Sequence, residues 1–170
     1  VLDNIALFSP RAYEEPNAVF RNLAGGKFAD VSAQAGADFQ VAAAHRGLAY
    51  GDLDNDGRLD AVVSVLNGKA EVFHNITQNG NHWLMLQLIG TKSNRMAIGA
   101  RLKLTTTTGQ VQYNHVSTST GYACSSDPRV HFGLGAATGV KEVQIRWPSG
   151  RVQVLHDVGV DRILKITEPD

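Results

Sequence analysis

The chain has 170 residues, 43% of them apolar, with 16 basic and 16 acidic side chains and no formal net charge. That length and composition suit one domain or two small ones around a buried core. The charge balance argues against a nucleic-acid binder and against a disordered charged tail, and no apolar run reaches the roughly 18 residues that a membrane span needs.

The zero hides an asymmetry. Residues 1–80 hold ten acids and six bases, a net −4, so residues 81–170 carry +4. Four of the ten acids fall between Asp52 and Asp60, a clustering that is costly unless something positive sits in it. The chain starts at Val1 and reads as a mature product or a piece of a longer protein. Cys124 is the single cysteine, so no internal disulfide is expected.

In chain order, the one helical candidate is Asp30–Ala35, with Asp30 as N-cap and Gly36 as stop. Val19-Phe20-Arg21-Asn22 recurs 53 residues later as Val72-Phe73-His74-Asn75. A period near 50 fits a four-stranded propeller blade. The polar cluster Gln78–Asn81 marks the expected boundary between a segment 1–80 and a segment 81–170.

Beyond it, period-two alternation predicts strands. Ala100, Leu102 and Leu104 alternate with polar residues, as do Val143, Ile145 and Trp147, and then Val152 and Val154. Thr105–Thr108 is a strand end running into a turn at Gly109, and Pro148-Ser149-Gly150 is a tight hairpin turn. Strands of this kind, separated by turns in a chain with 17 glycines, read as all-β. The expected architecture is an incomplete β-propeller blade followed by an antiparallel β-sandwich.

The strongest chemical signal is Asp52-Leu53-Asp54-Asn55-Asp56-Gly57-Arg58-Leu59-Asp60. Carboxylates stand at loop positions 1, 3, 5 and 9, with Gly at 6. A hard cation such as Ca²⁺ takes about six to eight oxygens, and alternate carboxylates on a curled loop converge on one point. The expected ligands are Asp52, Asp54, Asp56 and Asp60 with the Arg58 carbonyl, while Leu53 and Leu59 point inward as anchors. Mg²⁺ suits such an all-protein cage less well. Position 12 is Val63, not the Glu of an EF-hand, and no helices flank the loop. It therefore reads as a β-hairpin connection. The plain alternatives are a solvated acidic turn, or an ion with a structural part only.

The segment Val19–Asn75 resembles the FG-GAP/VCBS repeats of integrin-like propellers. The resemblance rests on Val19-Phe20-Arg21-Asn22, on Gly26-Lys27-Phe28-Ala29-Asp30-Val31-Ser32 and on Gly51-Asp52 through Asp60, with Tyr50-Gly51 where Phe-Gly is usual. It implies calcium on the aspartate hairpin. Residues 82–167 resemble the ASPIC/UnbV domain that follows such propellers. The carrying motifs are Asn81-His82-Trp83-Leu84, Asn94-Arg95 with Ala97-Ile98-Gly99-Ala100, Gly121-Tyr122 with Ser126-Asp127-Pro128-Arg129, His131-Phe132-Gly133-Leu134-Gly135 and Trp147-Pro148-Ser149-Gly150.

Other clusters are read more plainly. Cys124, Asp127 and His131 lie within eight residues, but nucleophilic chemistry needs a base in reach and a third group orienting it. Ser126, Asp127 and Arg129 are expected to form a hydrogen-bonded corner, and His131 to pack within a strand. Asn94, Arg95 and Arg101 around Gly99, with Trp83, Tyr113, Tyr122 and Trp147, are candidates for an anionic or glycan surface, although alternation sends Trp147 to the core. The six histidines show no zinc spacing. The expectation is a non-enzymatic, calcium-stabilised, secreted or periplasmic binding or adhesion module. Its partner would be a protein or glycan at the cell surface or matrix, and the incomplete propeller could self-associate. The rivals are a carbohydrate-binding module and an accessory domain of an enzyme.

Overall fold

The computed structural model describes residues 7–8, 13–23 and 25–170. Its regular structure is almost entirely β, in four open sheets. Strands β1 (Phe20–Asn22) and β2 (Phe28–Asp30) form an antiparallel ribbon. A second sheet has the order β3-β4-β5, from His45–Gly51, Asp60–Val65 and Glu71–Phe73. The two copies of the tetrapeptide echo fall at β1 and at β5.

The expected helix at 30–35 is a single 3-10 turn, Ser32–Gln34. Asp30 belongs to β2, and its carboxylate accepts hydrogen bonds from the Ser32 amide (2.9 Å) and the Ser32 hydroxyl (2.5 Å). That local bond closes a turn in place of capping a helix.

The remaining strands are β6 (His82–Ile89), β7 (Arg101–Thr106), β8 (Val111–His115), β9 (Val130–Gly135), β10 (Val140–Arg146), β11 (Val152–Val158) and β12 (Arg162–Thr167). One sheet runs β11-β10-β7-β8 and the other β12-β6-β9. Both contribute to one apolar cluster: Leu102, Leu104, Val143 and Ile145 from the first, Leu84, Leu86, Phe132 and Leu134 from the second, all at 2% exposure or less. Trp147 lies in the same core, its indole N–H donating to Gln153 Oε1 (3.1 Å). Pro148-Ser149-Gly150 closes the β10–β11 hairpin, with Trp147 and Arg151 paired across it.

Two expectations are corrected here. The pairing is not purely antiparallel: β12 lies parallel to β6, with Arg162 opposite Leu84 through Thr167 opposite Ile89. The chain leaves β11 in one sheet and, across Gly159–Asp161, enters the other beside β6. Asp161 fixes that entry, accepting from the Trp83 amide and from His82 Nδ1 (2.7 Å). Val152 and Val154 are the exposed face of β11, at 54% and 42%. Register explains this, because Val152 pairs with Arg146 and Val154 with Gln144, both outward. Gln153 and Leu155 take the inward positions opposite Ile145 and Val143.

The chain divides into two compact units, one of residues 1–48 and 61–73, the other of 49–60 and 74–170. In the first, Glu71 is bonded by His45 Nε2 (3.0 Å) and by Asn17 (3.4 Å), and Phe39 meets Phe73 edge-on. Its described strands leave Phe20, Phe28 and Val72 about 60% exposed. The aspartate loop belongs to the second unit.

Candidate metal centre

The loop from Asp52 to Asp60 joins β3 to β4, which are hydrogen-bonded neighbours. It is wound from within by its own carboxylates. Asp52, 2% exposed, accepts the Asp56 amide on Oδ1 (3.1 Å) and the Gly57 amide on Oδ2 (2.8 Å). Asp54 accepts the Asp56 amide more loosely (3.3 Å), and Asp56 accepts the Arg58 amide (2.8 Å). Asp60, also 2% exposed, accepts the Leu53 amide on one oxygen, and the Asn75 amide and His74 Nδ1 on the other.

Burial alone would raise the Asp60 pKa. The Asn75 and Leu53 amides and the neighbouring His74 outweigh it and hold the carboxyl below its usual value. Asp60 is therefore an anion at neutral pH.

Two overlapping groups of ligand atoms result, each within 4.8 Å: Asp52, Asp54 and Asp60, and Asp54, Asp56 and His74. Asp54 is common to both. The donors are carboxylate oxygens with one imidazole, and a carboxylate oxygen that takes one amide keeps a second lone pair. Asp56 Oδ2 is buried without a hydrogen-bond partner among the described residues, although the Arg58 guanidinium lies against it. This donor set fits a hard divalent cation. The same Arg58 guanidinium donates from its Nε to the Asn75 carbonyl (2.6 Å).

Leu53 is not an anchor. It is 59% exposed, and Leu59 is half-buried. The loop is held instead by side chains far along the sequence. Arg129 donates to Asn55 Oδ1 (2.6 Å) and to the Asp52 carbonyl (2.7 Å), while its Nε bonds Asp127 Oδ2 (2.6 Å). The Asp127 hydrogen bond raises the guanidinium pKa further, against some desolvation, and the charges of Asp127 and Asp52 add to it. His131 Nε2 lies 2.9 Å from the Gly57 carbonyl, and its ring stacks on Trp83 at 7°. Trp83 in turn covers Gly57 so closely that a Cβ there would sit 2.0 Å from the indole. Gly57 also has φ +90°, so two independent constraints require glycine.

The corner expected at Ser126, Asp127 and Arg129 is present. Ser126 Oγ accepts the Tyr50 amide, the Asp127 amide donates to the Tyr50 carbonyl, and Asp127 accepts both the amide and the guanidinium of Arg129. Asp127 and His131 are thus committed to Arg129 and to the loop, and Cys124 is half-buried. Asn94 laces its own turn by bonding both polar atoms of the Ile98 backbone. Sequence reading missed His74, Asn75, Asn55, Arg129, His131 and Trp83 as neighbours of the loop. His74 and Asn75 stand in the second tetrapeptide copy and the last three in noted motifs, but no spacing rule links them to Asp52.

Residues 3–63 match the FG-GAP-like repeat family, and residues 90–170 match the ASPIC and UnbV family. The chain is 31% identical over 109 residues to cartilage acidic protein 1 of Xenopus tropicalis, covering 62% of this chain and 16% of that protein. It is 31% identical over 104 residues to cartilage acidic protein 1 of Mus musculus, covering 59% and 16%. The chain therefore spans about one sixth of the length of these curated relatives.

Proposed function

We propose that this chain, which belongs to the proteins joining an FG-GAP-like repeat to an ASPIC and UnbV segment, is a calcium-stabilised, non-enzymatic binding or adhesion module acting outside the cytoplasm. The carrying observation is the convergence of Asp52, Asp54 and Asp60 within 4.8 Å on a loop braced by Arg129, His131 and Trp83. A braced loop presents its carboxylates without further ordering, and their mutual repulsion is relieved by a divalent cation. Asp52, Asp54, Asp56 and Asp60 with the Arg58 carbonyl would hold it, and His74 stands beside them. The cation would supply structural cross-linking charge; weak affinity, about 10⁻⁴–10⁻³ M, is usual for extracellular modules.

The architecture in this reading is one propeller blade followed by a β-sandwich. The exposed Phe20, Phe28 and Val72 support a repeat that buries its faces on neighbours, whether further repeats or a second copy. Among the described residues no helix is long and apolar enough to cross a membrane.

Calorimetric titration with Ca²⁺ tests the metal claim. Wild type is expected to bind with a rise in melting temperature, and Asp54→Ala, which removes the ligand oxygens, to lose both. Asp54 is exposed, and its contacts are one long loop hydrogen bond and a 3.8 Å approach to the half-exposed His74, so the variant keeps the fold. Absence of heat and of a melting shift in wild type overturns the reading.

A further inference from the structure

The sheet β11-β10-β7-β8 has two unlike faces. Inward lie Leu102, Leu104, Val143 and Ile145. Outward, in register across the strands, lie His115, Arg101, Arg146 and Val152 in one row and Tyr113, Lys103, Gln144 and Val154 in the next. Arg101 and Arg146 stand directly opposite each other, an arrangement that destabilises a sheet when like charges share a face. In the same unit Arg129, by contrast, is paired with Asp127. Among the described residues no carboxylate lies within ion-pair distance of Arg101, Lys103 or Arg146. Glu142, the acid of this face, sits a row further on, 4.0 Å from His156.

The outward side chains form a line. Neighbouring strands lie about 4.8 Å apart, so His115, Arg101 and Arg146 span roughly 10 Å across three strands, with Lys103 one step along. Beside Lys103, Tyr113 is 75% exposed on an open sheet face, and Gln144 offers neutral donors and acceptors. A shallow depression bordered by Gly99, Arg101, Tyr113 and His115 adjoins them.

We propose that this face binds an acidic polysaccharide. Arg101, Lys103 and Arg146 take its sulfate or carboxylate groups, and the Tyr113 ring supports a sugar ring. Guanidinium groups meet such anions with paired hydrogen bonds, and the ligand removes the Arg101–Arg146 repulsion as it binds. A polysaccharide fits better than a membrane, because the face is flat and its apolar members on β11 are only valines. This inference rests on the binding-module reading but not on the cation, since none of its residues belongs to the aspartate loop.

The test uses the full chain on immobilised heparin with a salt gradient, and calorimetry with a heparin oligosaccharide, in Ca²⁺ and in EDTA. Wild type is expected to be retained in both buffers. Arg101→Ser/Arg146→Ser is expected to lose at least about tenfold in affinity, as two charge-assisted hydrogen bonds imply. Lys92→Ser/Lys165→Ser, with the same charge change at exposed sites off this face, is expected to stay within about twofold. Tyr113→Ala is expected to weaken binding with the salt dependence unchanged. Circular dichroism and melting establish that each variant is folded. The proposal is overturned by no retention of wild type, by equal losses in the two double variants, or by retention that vanishes in EDTA. Equally tight binding to phosphatidylserine vesicles or to a single-stranded oligonucleotide also overturns it.

Discussion

Glu168 shows how much one side chain can commit. It is 2% exposed near the C-terminus. One oxygen accepts the amides of Thr91, Lys92 and Ser93, at 2.7–2.9 Å, and the other the hydroxyls of Ser93 and Ser149. Burial would raise its pKa, but these five donors overcome that and lower it from 4.5 to about 2. The unfolded chain binds the proton near pH 4.5 and the native carboxylate only near 2. The stabilisation is therefore complete above pH 4.5, falls as pH drops across that window and is lost below about 2. Glu168→Gln should flatten the pH dependence of stability between 4.5 and 2, read by urea unfolding at a series of pH values. An unchanged slope would contradict this account. In sequence Glu168 is one acid near a chain end, and nothing marks its partners at residues 91–93 and 149.

At the scale of the element, the β3–β4 hairpin shows what fixes a loop. The alternating carboxylates and the glycine at position 6 are local facts, so a metal-loop reading needs only sequence. The bracing is not local. Gly57→Ala brings strain from φ +90° and overlap with Trp83, and should cost about 1–3 kcal/mol in denaturant unfolding. Adding Trp83→Val should restore part of that loss, because only the overlap is relieved. If the double variant is no more stable than additivity predicts, the Trp83 contact does not constrain the loop. Strands β7 and β10 were legible because their alternation is long and one-sided. β11 was not: valines on alternate positions look like a core stripe, but pairing register with β10 turned them outward.

At the scale of the whole molecule, the compact units do not follow the order of the chain. Residues 49–60 group with 74–170, so the aspartate loop shares its unit with strands β6–β12. A ligand that binds only the folded state stabilises it by RT ln(1 + [L]/Kd), about 2.7 kcal/mol at a hundredfold excess over Kd. If the loop and the core behind it unfold together, Ca²⁺ should raise the transition reported by Trp147, which is 1% exposed in that core. Trp83→Phe leaves Trp147 as the single indole of the two. A Ca²⁺-dependent shift in the thermal transition of its fluorescence is the expected result. A shift confined to loop amides in hydrogen exchange, with Trp147 unmoved, would show that the loop is thermodynamically separate.

The sequence by itself determined the β character, through period-two alternation and glycine-marked turns, and both family resemblances, through ordered motifs. It also determined the donor chemistry of Asp52–Asp60, because metal-loop spacing is short-range. Only the tertiary structure decided which distant groups meet that loop: Arg129, His131 and Trp83 arrive through strand register and sheet crossing. It also decided the parallel β12–β6 pair and the outward face of β11. It turned the +4 of residues 81–170 from a count into a place, since Arg101, Lys103 and Arg146 are scattered in sequence and become one row and its neighbour only when β7 pairs with β10. Hydrogen-bond register is a relation between strands, and a single strand's residues carry only half of it.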